Sequence, residues 1–322
     1  MRIFLAGATG AIGRRLVPLL VEGGHSVVGT TRDPRKAGNI VDLGGQPAVV
    51  DCLDSKAVMQ AVLAAKPDVV VHQLTALAAM KNLKRFDNEF EETNRLRTEG
   101  TQHLINAARA SGARLFIAQS YAGWPSGKRG TGLKTEADPL DADPVKTMRK
   151  TLDAIRKLET AVTSLSGLTG IILRYSSLYG PGTSLAPGGD FFEAIRARKL
   201  PVIGGGTAIW SFTHVDDAAS AAVLAMEHAN AGIFNIVDDE PSEVSVWLPE
   251  LARQLGAKAP YRIPKWLGRL AVGEAGVFMM TESCGSSNAK AKSILKWTPL
   301  YPTWREGFRM GMIPETPRLA QE

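Results

Sequence analysis

The chain has 322 residues, of which 44% are hydrophobic and 22% charged, and a formal net charge of +6. That is enough apolar material for a large α/β domain with a smaller appended lobe, and the basic balance favours anionic ligands such as a dinucleotide phosphate. The basic clusters at 81–85 and 196–199 are short and lack interleaved aromatics, so no nucleic-acid surface is expected, and no apolar run approaches the ~20 residues of a membrane span.

In chain order, Arg2–Ala6 is an apolar run that leads into a glycine-rich turn, and 14–22 reads as an amphipathic helix. Short β-branched runs follow at 27–31, 48–50, Val69–His72, 115–118 and 171–175. Helical patterns lie between them at 56–65, 89–111 and 145–165. In the last of these, Val145, Met148, Leu152, Ile155, Leu158, Val162 and Leu165 form one buried stripe. Alternating strands and helices predict a doubly wound parallel sheet, the Rossmann arrangement. Past Gly180-Pro181 the pattern loosens. Helices are expected near 191–198 and 217–228, and a strand at 232–237. The expected organisation is a nucleotide-binding domain over 1–180, then mainly a substrate lobe over 181–312 from which 211–237 returns to the main sheet, and a tail over 313–322. Cys52 and Cys284 form no CxxC pair, and the sequence begins on a strand without a charged leader and cleavable apolar core. Both fit a cytoplasmic, reduced protein.

The motif Gly7-Ala8-Thr9-Gly10-Ala11-Ile12-Gly13 stands between a strand and a helix. In that context Gly7 permits a tight turn, Gly10 leaves room for a pyrophosphate, and Gly13 lets the helix pack on the sheet. The amides at the helix start then face the diphosphate. The competing reading is a glycine-rich turn without a ligand. At the end of the second strand an acid would mark NAD, but the chain has Thr31 and Arg32 there, followed by Arg35 and Lys36. A guanidinium there pairs a 2′-phosphate, so NADP(H) is expected over NAD(H). Asp33 dissents, and Arg32 as a solvated loop residue is the competing reading.

With these segments in hand, the chain resembles the extended short-chain dehydrogenase/reductases, which include sugar-nucleotide epimerases and dehydratases, over nearly its whole length. Val50-Asp51 is similar to the family's adenine-contacting aspartate. Val69 to His72 with Gln73, Leu74, Thr75 and Ala76 resembles its fourth strand and the loop behind the adenosine ribose. Asn94 with Glu99-Gly100-Thr101 looks like its long interface helix. Leu173-Arg174-Tyr175 through Tyr179-Gly180-Pro181-Gly182 looks like the segment after the catalytic helix. Ser211 to Asp217 looks like its late motif, and Asn288, Lys290, Lys292 and Trp297-Thr298-Pro299 its C-terminal signature. The resemblance implies cofactor contacts at Asp51, Leu74, Thr75, Asn94 and Tyr175. It also implies a homodimer through 89–111, although that helix can equally cover the sheet of a monomer. Each motif also has a plain structural reading: Asp216 or Asp217 as a helix N-cap, Asp51 as a loop cap, His214 as a packed core residue.

Members of this family usually carry Tyr-x-x-x-Lys on one helix, the lysine lowering the tyrosine's pKa. Of the five tyrosines here only Tyr261 has a lysine four residues on, and Pro264 intervenes. With Glu159 aligned to the family's helix glutamate, the pair falls on Thr151 and Ile155, which do not do its work. Lys146, Lys150 and Lys157 read as a solvated face. The usual serine run is replaced by Phe116-Ile117-Ala118-Gln119-Ser120-Tyr121. The expectation is therefore Tyr121 as proton donor and Ser120 as the residue orienting the substrate, against Tyr121 as a packed aromatic. Ser120 lacks a Gly-x-Ser-x-Gly elbow, and the histidines have no metal-ligand spacing, so neither a hydrolase nor a metal site is read. An NADP-dependent oxidoreductase or epimerase/dehydratase-type enzyme acting on a small metabolite stands beside a non-catalytic NADP(H)-binding sensor. If several of Trp210, Trp247, Trp266, Phe278, Met279 and Met280 line the cleft, the substrate is less polar than a nucleotide sugar.

Overall fold

The computed structural model describes residues 1–77, 82–127, 132–228 and 230–312. The expected tail lies outside them. Among the described residues seven strands form one sheet: β1 (Arg2–Ala6), β2 (Ser26–Thr31), β3 (Gln46–Val49), β4 (Val69–His72), β5 (Leu115–Tyr121), β6 (Thr169–Tyr175) and β7 (Gly232–Ile236). The order across the sheet is β7-β6-β5-β4-β1-β2-β3, and every neighbouring pair is parallel. This is the doubly wound Rossmann sheet, with its topological switch between β1 and β4 and its ligand crevice at the carboxyl ends of the strands.

A fully parallel sheet must be covered on both faces. On one face Leu16 and Leu20 of α1 (Gly13–Glu22) and Ala218 and Ala222 of a late helix (Val215–His228) pack on Ile171 and Leu173. On the other, Val58 and Val62 of α2 (Ser55–Ala65) meet Leu104 and Ala108 of α3 (Thr101–Ser111), with Leu158 of α4 (Arg149–Thr163) against Phe116. A third core, around Phe212, Trp247, Trp304 and Phe308, belongs to the C-terminal lobe. Phe212–His214 pairs with Ser177–Tyr179 in a separate two-stranded sheet, and the chain then returns through the late helix to β7.

Three local expectations change. The stretch 89–111 is not one helix. It runs as Phe86–Glu89, Glu91–Arg95, a π turn at Leu96–Gly100, and then α3. The Leu96 carbonyl is held by His72 Nε2 at 3.3 Å and Thr101 Oγ1 at 3.4 Å, which draws it out of the regular ladder. Strand β5 runs three residues beyond the expected 115–118, because pairing with β6 continues to Tyr121 opposite Tyr175. Asp216 and Asp217 lie inside the late helix and do not cap it. Asp216 takes Arg15 of α1, with one contact at 3.0 Å, and Asp217 accepts the Leu300 and Tyr301 amides. Those partners are distant in sequence, and burial pushes the Asp217 carboxyl up to about 8.

Candidate active site

The glycine loop is built as a cradle. Gly7 has φ +97°, and a Cβ there would stand 2.7 Å from the Gln73 carbonyl oxygen. Its amide donates to Thr30 Oγ1 at 3.1 Å, which ties the loop to β2. A Cβ on Gly13 would sit 2.2 Å from the Gly7 carbonyl, so only glycine allows α1 this close to β1. Gly10 differs. It is exposed, and a Cβ there would meet nothing nearer than the Gly7 oxygen at 3.3 Å. Among the described residues the amides of Ala11, Ile12 and Gly13 have no acceptor. Three free donors and an open glycine at a helix start fit an anionic diphosphate. Thr9 is half-buried on the same loop. Exposed Arg14 follows it, and its Nη2 lies 2.2 Å from where a Cβ on Gly182 would stand, so a guanidinium spans from the glycine loop to the Gly180–Gly182 turn.

At the end of β2, Thr31 Oγ1 accepts the Asp33 amide at 3.2 Å. Asp33 caps the short turn Pro34–Lys36 and holds Arg35 by two contacts, at 2.9 and 3.0 Å. Arg32 is mostly exposed and pairs with Glu92. Asp51 is exposed and accepts the Leu53 amide at 2.9 Å, an Asx turn. Leu74 is half-buried and Thr75 exposed, and the Leu74 amide donates to His72 Nδ1 at 3.1 Å. These residues share the carboxyl edge of the sheet with the glycine loop. Tyr175, the last residue of β6, ends at the same edge but packs into the core. It is 2% exposed, and its hydroxyl accepts from Gln73 at 3.2 Å and donates to the Ala218 carbonyl at 3.3 Å.

Ser120 is buried, and its hydroxyl donates to Glu159 Oε1 at 2.7 Å. Glu159 is also gripped by Arg174, Nε to Oε1 at 2.7 Å and Nη2 to Oε2 at 2.6 Å. Thr151 and Ile155, where the helix pair would fall, are fully buried. The Thr151 hydroxyl donates to Asp87 Oδ1 at 2.7 Å and accepts from Asn94 Nδ2 at 3.1 Å. The phenol present is Tyr121. It ends β5, with Ser176, Ser177 and the Arg97 guanidinium as the polar and charged neighbours that bear on its ionisation. Desolvation pushes the phenol above its ordinary value, and those three neighbours oppose the shift.

Around Tyr121 stands an apolar wall of Phe86, Phe90, Trp124, Ile155 and Phe278, with Met279 beside it. Phe86 stacks on Phe90 at 4.4 Å and meets the Trp124 ring edge-on at 5.5 Å, and Tyr121 lies 6.3 Å from Trp124. Of the large late residues, Phe278 and Met279 thus join this wall. Trp247 and Met280 belong to the C-terminal core, Trp210 is half-buried, and Trp266 is 63% exposed. His214 is buried. Its Nε2 donates to the Gly311 carbonyl at 2.7 Å, and its Nδ1 accepts the Asp216 amide. A concavity of about 730 Å³ in the C-terminal lobe, lined by Glu240, Glu250, Arg253, Arg305 and Arg309, includes no residue of this edge, and its acids pair with Arg253 and Arg305. Among the described residues no cluster of His, Cys, Asp or Glu could hold a metal, and no helix is long and apolar enough to cross a membrane. Sequence reading missed Arg14, Asp87, Arg97, Ser176 and Ser177. Their spacing carries no motif, and the π turn that orients Arg97 depends on His72, from another strand.

The Rossmann sheet and its glycine loop are those of a nicotinamide-dependent enzyme of the oxidoreductase/epimerase type. The chain belongs to the NAD dependent epimerase/dehydratase family, whose model matches residues 3–237. It is 43% identical over 308 residues to the 3-diazoavenalumate denitrifying reductase of a Streptomyces species, covering 95% of this chain and 99% of that one. The solved UDP-glucose 4-epimerase of Thermus thermophilus, in complex with NAD, shares the fold at TM-score 0.73 and 23% identity, over 97% of this chain and 98% of that one. A human epimerase family protein solved with NADPH does so at TM-score 0.74 and 19% identity, over 97% and 99%.

Proposed function

We propose that this chain is an NADP(H)-dependent reductase acting on a carbonyl group of a small, largely apolar metabolite, with Tyr121 as the proton donor. The observation that carries the reading is the Tyr121 phenol at the carboxyl end of β5, packed against the cluster of Phe86, Phe90, Trp124 and Phe278. The reductase name of the relative at 43% identity supports the direction of reaction.

Gly7, Thr9, Gly10, Ala11, Ile12 and Gly13 would hold the diphosphate, Arg32 the 2′-phosphate, and Asp51, Leu74 and Thr75 the adenosine side, with Arg14 closing over the loop. Bound there, the nicotinamide supplies hydride to the carbonyl carbon. Tyr121 gives its proton to the carbonyl oxygen, and the O–H bond of the phenol breaks as that of the alcohol forms. Ser176 and Ser177 orient the phenol. Ser120 we assign to holding Glu159, and Asn94 and Tyr175 to structure rather than to the cofactor. The apolar wall excludes water and favours an aromatic or alkyl substrate over a nucleotide sugar. We place the protein in the cytoplasm, where its two thiols stay reduced. Both are buried, and desolvation pushes Cys52 up to about 12. The same reading expects a homodimer through 89–111; light scattering that gives a monomer at micromolar concentration removes it.

The test is nicotinamide turnover against a panel of small aryl and alkyl ketones and aldehydes. At least one must oxidise NADPH, and Tyr121→Phe must lower kcat by roughly 100-fold or more. A folded protein that binds NADPH and reduces no member of the panel, or an unchanged rate in the variant, overturns the proposal.

A further inference from the structure

The helix Lys265–Thr281 begins with its apolar residues on the side away from the protein. It bends at Gly273, φ +74°, and its second half supplies Phe278 and Met279 to the wall around Tyr121. The first half packs through Gly268, which is buried; a Cβ there would stand 2.5 Å from Ile203 Cγ2. At roughly 100° per residue, Trp266 and Leu270 point about 160° away from that contact. They are 63% and 65% exposed, and Leu267 between them is 38% exposed. A surface helix ordinarily turns such residues inward and its charges outward. Tyr261, 55% exposed, stands just before Arg262–Ile263, which pairs with Val202–Ile203 beneath the helix.

The charges of this region are mostly of one sign. From 255 to 273 the sequence holds four cations, Lys258, Arg262, Lys265 and Arg269, and no acid. Arg198 and Lys199 add two more. The Arg198 guanidinium lies 3.6 Å over the Tyr261 ring, and its Nε donates to the Ala259 carbonyl at 2.7 Å. Two acids of the same helix answer two of the six: Glu282 meets Lys265 at 3.6 Å and Glu274 meets Arg269 at 2.9 Å. Among the described residues Lys199, Lys258 and Arg262 pair with no acid.

We propose that this face, Trp266, Leu267 and Leu270 with its basic border, docks the protein on the surface of an anionic lipid bilayer without crossing it. The indole and the Tyr261 ring sit at the depth of the headgroups, the leucines reach the acyl boundary, and the cations meet lipid phosphates. The apolar side chains project from a convex helix, and a fluid bilayer needs no complementary shape to receive them. A second copy of the chain on the same face would set like charges against one another. Docking is independent of the chemistry assigned to Tyr121, and a failure of carbonyl reduction leaves it standing.

The experiment floats the full chain with vesicles of equal parts phosphatidylglycerol and phosphatidylcholine, and with vesicles of phosphatidylcholine alone. The protein should rise with the first and much less with the second. A net charge of +6 would by itself draw the chain to the first, so the deciding variant keeps every charge. Trp266→Ser with Leu270→Ser, at two exposed positions, should lower the partition coefficient by roughly tenfold or more. Arg262→Ala should lower it by roughly fivefold. Of the six tryptophans Trp266 is the exposed one, so bromine-labelled acyl chains should quench the fluorescence of the unaltered protein and not that of Trp266→Phe. No flotation with anionic vesicles, a double variant that floats as well as the unaltered protein, or the absence of quenching overturns the proposal. Retention on immobilised polyglutamate in place of vesicles, lost in the double variant, assigns the face to an acidic protein and overturns it too. So does a dimer that the double variant dissolves, which assigns the face to a second copy.

Discussion

Ser120 donates its hydroxyl to Glu159 Oε1 at 2.7 Å, and Glu159 is closed on its other side by Arg174. That relationship separates the two neighbours at the end of β5. Ser120 faces inward and belongs to a buried ion pair, while Tyr121 faces the aromatic wall. Ser120→Ala removes one hydrogen bond to a buried charge and should cost ~2 kcal/mol in denaturant unfolding. Its kcat should fall much less than that of Tyr121→Phe. Arg174→Met, which strands the carboxylate, should cost roughly 3–5 kcal/mol. A Ser120→Ala enzyme as slow as Tyr121→Phe would return Ser120 to the chemistry.

The glycines of the loop should separate in the same way. Gly13→Ala sets a methyl 2.2 Å from the Gly7 carbonyl and should unfold or strongly destabilise the domain. Gly10→Ala meets only an oxygen at 3.3 Å, so the fold should survive while dinucleotide affinity drops by roughly tenfold or more. Calorimetry together with a binding titration reads both, and equal stabilities for the two variants would refute the division.

The proposed preference for NADP(H) turns on Arg32 and Glu92. Their exposed pairing sets an acid beside the guanidinium assigned to the 2′-phosphate. Arg32→Ala should weaken NADPH by roughly tenfold or more and leave NADH nearly unchanged. Glu92→Gln should tighten NADPH, because it frees the arginine. Equal affinities of the unaltered protein for the two cofactors would remove Arg32 from recognition.

His72 gives the fold a pH dependence. Desolvation on full burial lowers its pKa to about 4, from an ordinary 6.5. Between these values the unfolded chain binds a proton that the native chain does not. Its contribution is therefore present above pH ~6.5 and is lost as pH falls toward 4, by up to about 3 kcal/mol. Urea midpoints should fall over that window, and less so in His72→Asn. Because His72 also holds the Leu96 carbonyl, the variant should loosen the π turn, visible as faster hydrogen exchange at 96–101.

The order of the elements and the glycine cradle could be read from sequence because each rests on local spacing, and the empty Tyr-Lys positions were implied by the family resemblance. Short apolar, β-branched runs mark β1–β7 and period-3.6 patterns the helices, and a strand–glycine–helix run leaves few geometries open to Gly7, Gly10 and Gly13. What Leu96, Ser120 and Asp217 do was decided by contacts across long stretches of chain. The Leu96 carbonyl leaves its helix because of a histidine on β4, Ser120 turns to an acid on α4, and Asp217 meets amides from 300 and 301. A buried charge takes whatever partner the packing brings, and no spacing along the chain encodes which one that is.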